Sequence, residues 1–484
     1  MNKSNQKLLV KNYIYNTVYN VLAIVLPMVS IPYVTRRLSP DALGTYNYTQ
    51  SIVYFFVLFG TLGMSMFSQR EIAYYREDEK KRNNVFWELL LIRGGSVGVI
   101  LIAYLFFAFL IGEYTVLYII QVLDILAAML DITWFFQGQE DFKKPVVRNI
   151  IIKVSILVLT FLCIKGEADL YTYVFIHSIL QFAGNVSLWG FCKGKIKKCC
   201  WNELHPLKYL KGIIILFIPQ LVVQIYATIA KPMLGIFTDT AQVAYYEQAL
   251  KIIKIVTTLI TAVGTVMLPR MSKEFQKNNK EEIRLYMNHS YQIVALIGYP
   301  LMIGLMTVAN KMVNWFYGKE YAPVGQLIVL LSPIIIVSGI STLTSMQFLV
   351  PSKRQKEYTI SIVCGSVVNV ILNILLIPRY AAVGAAIASV ISELLVLICQ
   401  VILTRKEVNI IASIWHAKKY LLHSLIMGGT VYLITNPMKA TMVTTMIQGV
   451  VGVLIYLMLL LVTKDQYINQ IVLSVKRKFD KSSI

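Results

Sequence analysis

Charge is what this chain lacks most. Only 15% of its 484 residues are Asp, Glu, Lys or Arg, where soluble domains carry about 25%. Carboxylates are scarcest: 25 stand against 46 Lys and Arg, a formal excess of +21. Cysteine is sparse too, six in all, and the adjacent Cys199 and Cys200 have no C-x-x-C partner. Neither a zinc site nor a disulfide framework is supported. No connecting segment exceeds about 20 residues, and none carries a nucleotide-binding glycine loop or a metal-ligand cluster. A membrane-embedded glycosyltransferase or polymerase needs a soluble catalytic domain or a long extracytoplasmic loop with acid/base residues. The chain offers neither, so no catalytic residue, metal or cofactor is assigned.

What fills the chain instead is hydrocarbon, with 57% of the residues hydrophobic. Fourteen membrane-spanning helices of roughly 20 residues would need about 280 residues, close to that share. Long apolar stretches fall at 13–35, 48–68, 86–111, 115–136, 148–164, 170–191, 212–236, 248–268, 286–309, 325–349, 359–377, 384–404, 420–435 and 443–463. The expected fold is an all-α polytopic membrane protein of about fourteen transmembrane helices, with short connections that make consecutive helices antiparallel. The opening MNKSNQKLLVKN is a short basic tail, and the run behind it is interrupted by Asn16 and Asn20 with no small-residue cleavage site following. It reads as a retained first helix rather than a removed signal.

The basic excess suggests either a nucleic-acid partner or topology. Placing each residue decides. With the N-terminus inside, 34 of the 46 basic residues fall in cytoplasmic tails and loops, those around 143–148 and 270–284 among them, 7 on the opposite side, and 5 within spans. Both termini are therefore expected in the cytoplasm, and no nucleic acid is needed. Residues 193–211 form a basic cytoplasmic connector. The tail places Ile468, Ile471, Val472, Val475 and Phe479 on one helical face beside Lys476, Arg477, Lys478 and Lys481. That pattern fits either a helix on anionic membrane lipids or a simple positive-inside anchor.

A weak internal repeat follows. LSPDALGTYNYTQSI at 38–52 and FTDTAQVAYYEQALKI at 237–252 align at a shift of 199, placing Tyr245 on Tyr46. Pro27 and Pro32 precede the first copy, Pro219 and Pro232 the second, and the following helices end at Arg70 and Arg270. Six spans separate the copies, so the repeat is parallel. The expected organisation is an N-lobe at 1–192, the connector at 193–211, a C-lobe at 212–404, two further helices at 405–463 and a basic tail at 464–484.

Five segments, VTRRLSPDALGTY (34–46), GTLGMSMFSQREIA (60–73), DITWFFQGQEDFKKPVVRNIIIK (131–153), FYGKEYAPVGQLIVLLSP (316–333) and NILLIPRYAAVGAAIASVISEL (373–394), stand in order along the chain. Through them the sequence resembles the oligosaccharide flippases of the polysaccharide-transport group, within the multidrug/oligosaccharidyl-lipid/polysaccharide exporter superfamily. The resemblance covers about residues 10–404. It implies a V-shaped bundle working by alternating access, and a substrate: an undecaprenyl-diphosphate-linked oligosaccharide carried to the outer leaflet for capsule, O-antigen or teichoic-acid-like polymer. It also implies polysaccharide polymerase and glycosyltransferases of the same pathway as partners. The alternative is a multidrug or cation antiporter of the same architecture, which calls for an acidic cavity. One departure stands out: such proteins often carry an acidic residue before the basic one in the seventh helix, whereas Ala230 precedes Lys231 here.

A diphosphate attracts cations and sugar hydroxyls attract amides and aromatic faces, while charges inside spans are costly and face the protein interior. Lys231, Lys251 and Lys254 are candidates for the diphosphate near the outer exit, or else snorkel to the interface. Arg93 and Lys153 sit about seven residues, roughly 10 Å, into helices entering from the cytoplasm. Asp131 lies at similar depth, so either cation could pair with it or meet substrate. Asp124, Asp131, Glu393 and His177 are the candidates for ion coupling, with interhelical hydrogen bonding as the competing role. Asn16 and Asn20, and Gln220 and Gln224, are paired amides at i, i+4 that suit sugars or interhelical hydrogen bonds equally.

Overall fold

The computed structural model describes residues 21–197, 201–467 and 469, and among these every regular element is helical. The first described helix, α1, covers Val21–Val34. Then come α2 (Pro40–Thr61), α3 (Met64–Tyr74), α4 (Glu79–Ile111), α5 (Thr115–Leu130), α6 (Thr133–Gly138), α7 (Lys143–Cys163), α8 (Leu170–Gly190), α9 (Leu210–Thr228) and α10 (Ala230–Phe237). They are followed by α11 (Thr240–Gln276), α12 (Lys280–Phe316), α13 (Pro323–Leu331), α14 (Pro333–Thr344), α15 (Gln355–Thr404), α16 (Ile410–His416), α17 (Lys418–Thr435) and α18 (Met442–Val462). The described part of each of the fourteen apolar stretches falls on a helix or on two or three consecutive helical pieces. Among the described residues nine helices are long and apolar enough to cross a membrane, and α15, at 50 residues, is two spans in one. It breaks at Ala381 (φ 48°, ψ −130°), three residues after Pro378, between the stretches expected at 359–377 and 384–404.

Several helices outrun their apolar stretches. α11 and α12 have 37 residues each, about 55 Å at helical rise against a hydrocarbon core of about 30 Å. The segment 270–284, read from charge as a loop, is mostly helix. Only 277–279 interrupts it, and Asn279 caps α12 by accepting from the Glu282 amide at 3.4 Å. The same holds at α4, where Asp78 accepts from the Lys81 amide at 3.0 Å. Polar residues end the hydrophobic signal, but a capped helix continues through them into water.

Two compact units emerge, Met1–Ala244 and Tyr245–Ile484. The first includes α9 and α10 as well as α1–α8. It holds an aromatic core of Phe67, Phe86, Trp134, Phe135 and Phe136 with Met64, Ile72 and Leu188. A second cluster, around Val53, Val97, Tyr104, Tyr118 and Ile125, joins α2, α4 and α5, with the Tyr104 hydroxyl donating to the Tyr118 carbonyl at 2.7 Å. The expected connector lies along α4. Buried Glu88 accepts from the His205 amide at 2.7 Å and the Lys208 ammonium at 2.8 Å. Two residues 199 apart, Asp41 and Thr240, meet directly, the Thr240 hydroxyl donating at 3.4 Å. These are equivalent positions of the repeat. In the second unit α12 packs against α13, α14, α17 and α18. Tyr420, Met427, Val431 and Tyr456 form the core there.

Candidate functional site

The most heavily functionalised interior in the first unit begins at the end of α5. A helix terminus leaves its last carbonyls without intrahelical donors, and hydrocarbon offers none. Four side chains take them. Asn185 donates to Ala127 O at 2.7 Å, Arg93 Nε to Ala128 O at 2.8 Å, Trp189 to Leu130 O at 2.8 Å and Trp134 to Asp131 O at 3.0 Å. The Arg93 guanidinium, with only 3% of the residue exposed, also stands 3.7 Å from the Asp131 carboxylate. Asp131 in turn accepts from the Thr133 amide at 3.0 Å and from its hydroxyl. Arg148 donates to the Thr133 hydroxyl at 2.9 Å and to the Asn185 side-chain oxygen. The result is one chain of polar groups, Arg93–Asp131–Thr133–Arg148–Asn185, crossing from α4 to α8.

Arg148 is the residue that charge counting missed. It was placed with the cytoplasmic loop at 143–148, yet it is only 7% exposed on α7. The signal was present in VVRNIIIK, where Arg148, Asn149 and Lys153 interrupt an apolar helix at spacings that put them along one side.

That side faces a cavity of about 540 Å³ between α1, the α5–α6 junction, α7 and α8. At one end of it stand Asp131, Thr133, Arg148 and Asn185; Lys153 follows five residues further along α7, about 7 Å at helical rise. Asn149 and Gln181 add amides, and Tyr173 and His177 add rings. These rings are tilted by 57° to each other with centroids 4.6 Å apart, and Tyr46 lies 5.3 and 5.6 Å from them. Leu26, Pro27, Ile156 and Leu157 supply apolar wall. From Arg148 to Thr160 the lining runs twelve residues, about 18 Å, over half the hydrocarbon core. Arg148 and Lys153 against Asp131 make the lining net cationic, and Asp131 is already held by Arg93. The arrangement can neutralise an anionic group, offer amides to hydroxyls and lay rings against a sugar.

The other candidates are placed as follows. Asp124 on α5 accepts from the Ser178 hydroxyl at 2.9 Å. Gln224 on α9 accepts from the Tyr54 hydroxyl at 2.5 Å, and Gln220 abuts the turn between α2 and α3. That turn is left-handed at Leu62 and Gly63 (φ 48° and 57°), and a Cβ on Gly63 would stand 2.5 Å from the Gln220 side-chain oxygen. Lys231 is half-buried on α10 in the first unit; Lys251 is half-buried and Lys254 exposed on α11 in the second, as is half-buried Glu393 on α15. Asn16 and Asn20, Cys199 and Cys200, and the tail beyond Asn469 lie outside the described residues.

Residues 9–275 match the family described as polysaccharide biosynthesis protein, more than half of the chain. The chain belongs to that family. Residues 216–375 also match the MatE family. A putative O-antigen transporter of Escherichia coli (strain K12) is 22% identical over 398 residues, 81% of this chain and 96% of that protein. A probable low-salt glycan biosynthesis flippase, Agl15 of Haloferax volcanii, is 21% identical over 77% of this chain and 78% of its own. Among solved structures, the lipid II flippase MurJ in an inward closed conformation superposes with a TM-score of 0.75, at 19% identity, over 94% of this chain and 100% of that one. This last is a likeness of fold. The polysaccharide biosynthesis family match spans α1–α10 and most of α11, and so contains the whole cavity just described.

Proposed function

We propose that this chain is a flippase, carrying an undecaprenyl-diphosphate-linked oligosaccharide from the cytoplasmic to the outer leaflet by alternating access, for assembly of a surface polysaccharide. The observation that carries the reading is the cavity on α7 and α8. Its cations suit a diphosphate, its amides and the Tyr173–His177 pair suit sugars, and its length suits a headgroup moving along the membrane normal. The names borne by the O-antigen and glycan relatives support the same substrate class. In this reading both termini lie in the cytoplasm of a bacterial plasma membrane, and polymerase and glycosyltransferases act before and after the transport step. Arg148 and Lys153 contact the diphosphate, while Arg93 holds Asp131 in place. Lys231, Lys251 and Lys254 are the proposed cations nearer the exit. Asp124, Glu393 and His177 are the groups to examine for ion coupling.

The MatE match at 216–375 favours one second reading, a cation antiporter. A cation exporter requires exposed negative charge in its cavity, and here the lining carries one carboxylate, tied to Arg93, against two cations. Depletion of the protein in cells distinguishes the readings. Lipid-linked repeat units should accumulate on the cytoplasmic leaflet, beyond reach of an impermeant label. Their appearance outside at the normal rate would end the flippase assignment.

A further inference from the structure

We propose that the lipid-facing side of the α7–α8 seam holds an anionic phospholipid of the inner leaflet, its phosphate at Lys143 and Lys144 and one acyl chain between the helices. The two helices are in tight contact at Gly184, where a Cβ would stand 2.0 Å from Ile152 Cδ1 and 3.3 Å from Arg148 Cδ. On the other side of this contact from the polar cavity they part into a second hollow of about 630 Å³. Val147, Ile151, Leu180, Ala183 and Phe191 line it, and Ser155 closes its far end. Val147, Ile151 and Phe191 are 38%, 59% and 51% exposed. Such walls within a bilayer are filled by hydrocarbon.

The mouth of the hollow selects the headgroup. Lys143, Lys144 and Asp141 stand there. Asp141 is shared by Lys144 at 3.0 Å and Lys195 at 3.3 Å, and Lys144 also lies over the Phe136 and Phe191 rings at 5.2 and 5.7 Å. Three ammonium groups therefore face one carboxylate, and exposed Lys143 adds charge that no acid in the cluster balances. A phosphate with net negative charge fits this mouth better than a zwitterionic headgroup. From Lys143 to Ser155 the hollow is twelve residues deep, about 18 Å, the reach of one acyl chain from the headgroup level into the leaflet. A C55 polyprenyl tail far exceeds it. Arg148 and Ile152 line both this hollow and the polar cavity, so a lipid lodged here braces the contact on which Arg148 and Asn185 are mounted.

The test is lipid retention by the purified full chain in nanodiscs of phosphatidylglycerol and phosphatidylcholine, read with spin-labelled forms of each. The wild type should immobilise phosphatidylglycerol about fivefold more than phosphatidylcholine. Lys143→Gln should reduce that preference, and Lys143→Gln/Lys144→Gln should abolish it. Ala183→Trp, at an exposed position that fills the hollow, should release the immobilised lipid whatever its headgroup. Leu162→Trp, equally exposed at the other end of α7, should leave retention unchanged. Equal retention of both lipids by the wild type would overturn the proposal, as would a preference untouched by Ala183→Trp. Displacement of phosphatidylglycerol by an equimolar amount of undecaprenyl phosphate would also overturn it, by assigning the hollow to the substrate's tail. None of these readouts depends on transport.

Discussion

Replacing Asp131 by Asn removes the charge that Arg93 faces while keeping the shape of the side chain. Arg93 is 3% exposed, and the group it donates a hydrogen bond to is the neutral carbonyl of Ala128. Breaking a buried pair from one side costs about 3–5 kcal/mol. The Asp131 side chain is one-quarter exposed and the pair is 3.7 Å apart, so the cost should fall near about 3 kcal/mol, a factor of about 150 in the folding equilibrium. Removing the cation as well should reverse most of it. Arg93→Met/Asp131→Asn removes both charges of the pair and mainly loses one hydrogen bond to Ala128, about 1 kcal/mol. Steric-trapping or detergent-titrated unfolding of the wild type, both single variants and the double completes the cycle. Strongly non-additive energies, with the double variant the more stable of the Asp131→Asn pair, are expected. Additive energies, or a double variant no better than Asp131→Asn, would refute the argument that Arg93 and Asp131 act as one structural unit.

Three further outcomes are expected. Lys153→Gln should leave stability unchanged and slow flipping of the lipid-linked oligosaccharide about tenfold, equivalent to about 1.4 kcal/mol of lost charge-assisted contact; unchanged initial rates in reconstituted vesicles would remove Lys153 from the site. Gly63→Ala should destabilise by about 1–3 kcal/mol, since φ is positive and the new Cβ meets the Gln220 oxygen at 2.5 Å. Gln220→Ala should relieve the steric part, and no relief in thermal unfolding would contradict the contact. Just past the C-terminal end of α18, burial pushes the Asp465 carboxyl up, but hydrogen bonds from Lys419, Tyr420 and the Tyr467 amide outweigh it and hold its pKa below the ordinary carboxylate value. Its contribution is therefore complete at neutral pH and fades as pH falls below that ordinary value and through the lowered one. Amide-exchange protection of 419–424 should fall in the wild type as pH drops below the ordinary carboxylate pKa of about 4, while Asp465→Asn should start lower and stay flat; parallel profiles would count against this role of Asp465.

The spans were legible because a bilayer leaves the chain no alternative to long apolar helices. The pairing of Arg93 with Asp131 was legible for a related reason, since counting residues at helical rise puts both at similar distances from the ends of their apolar stretches. Loops were harder. Charge marks where a helix leaves the hydrocarbon, not where it stops, so 270–284 read as loop although Asn279 and its neighbours confine the break to three residues. The same rule hid Arg148, which counted as a topology signal yet turns inward to bind Thr133 and Asn185. Glu88 escaped for the opposite reason. It sits just inside an apolar stretch, and its partners Lys208 and the His205 amide come from a connector 117–120 residues away. Gln220 and Gln224 were visible as a pair, but only the structure gives Gln224 to Tyr54.

The central claim is best tested with the purified chain in sealed liposomes containing undecaprenyl-diphosphate-linked oligosaccharide, exposed to a membrane-impermeant sugar oxidant. The account predicts that oxidation proceeds past the outer-leaflet share toward the whole pool, more slowly with Lys153→Gln. Oxidation that stops at the outer-leaflet share, as in protein-free liposomes, would contradict it.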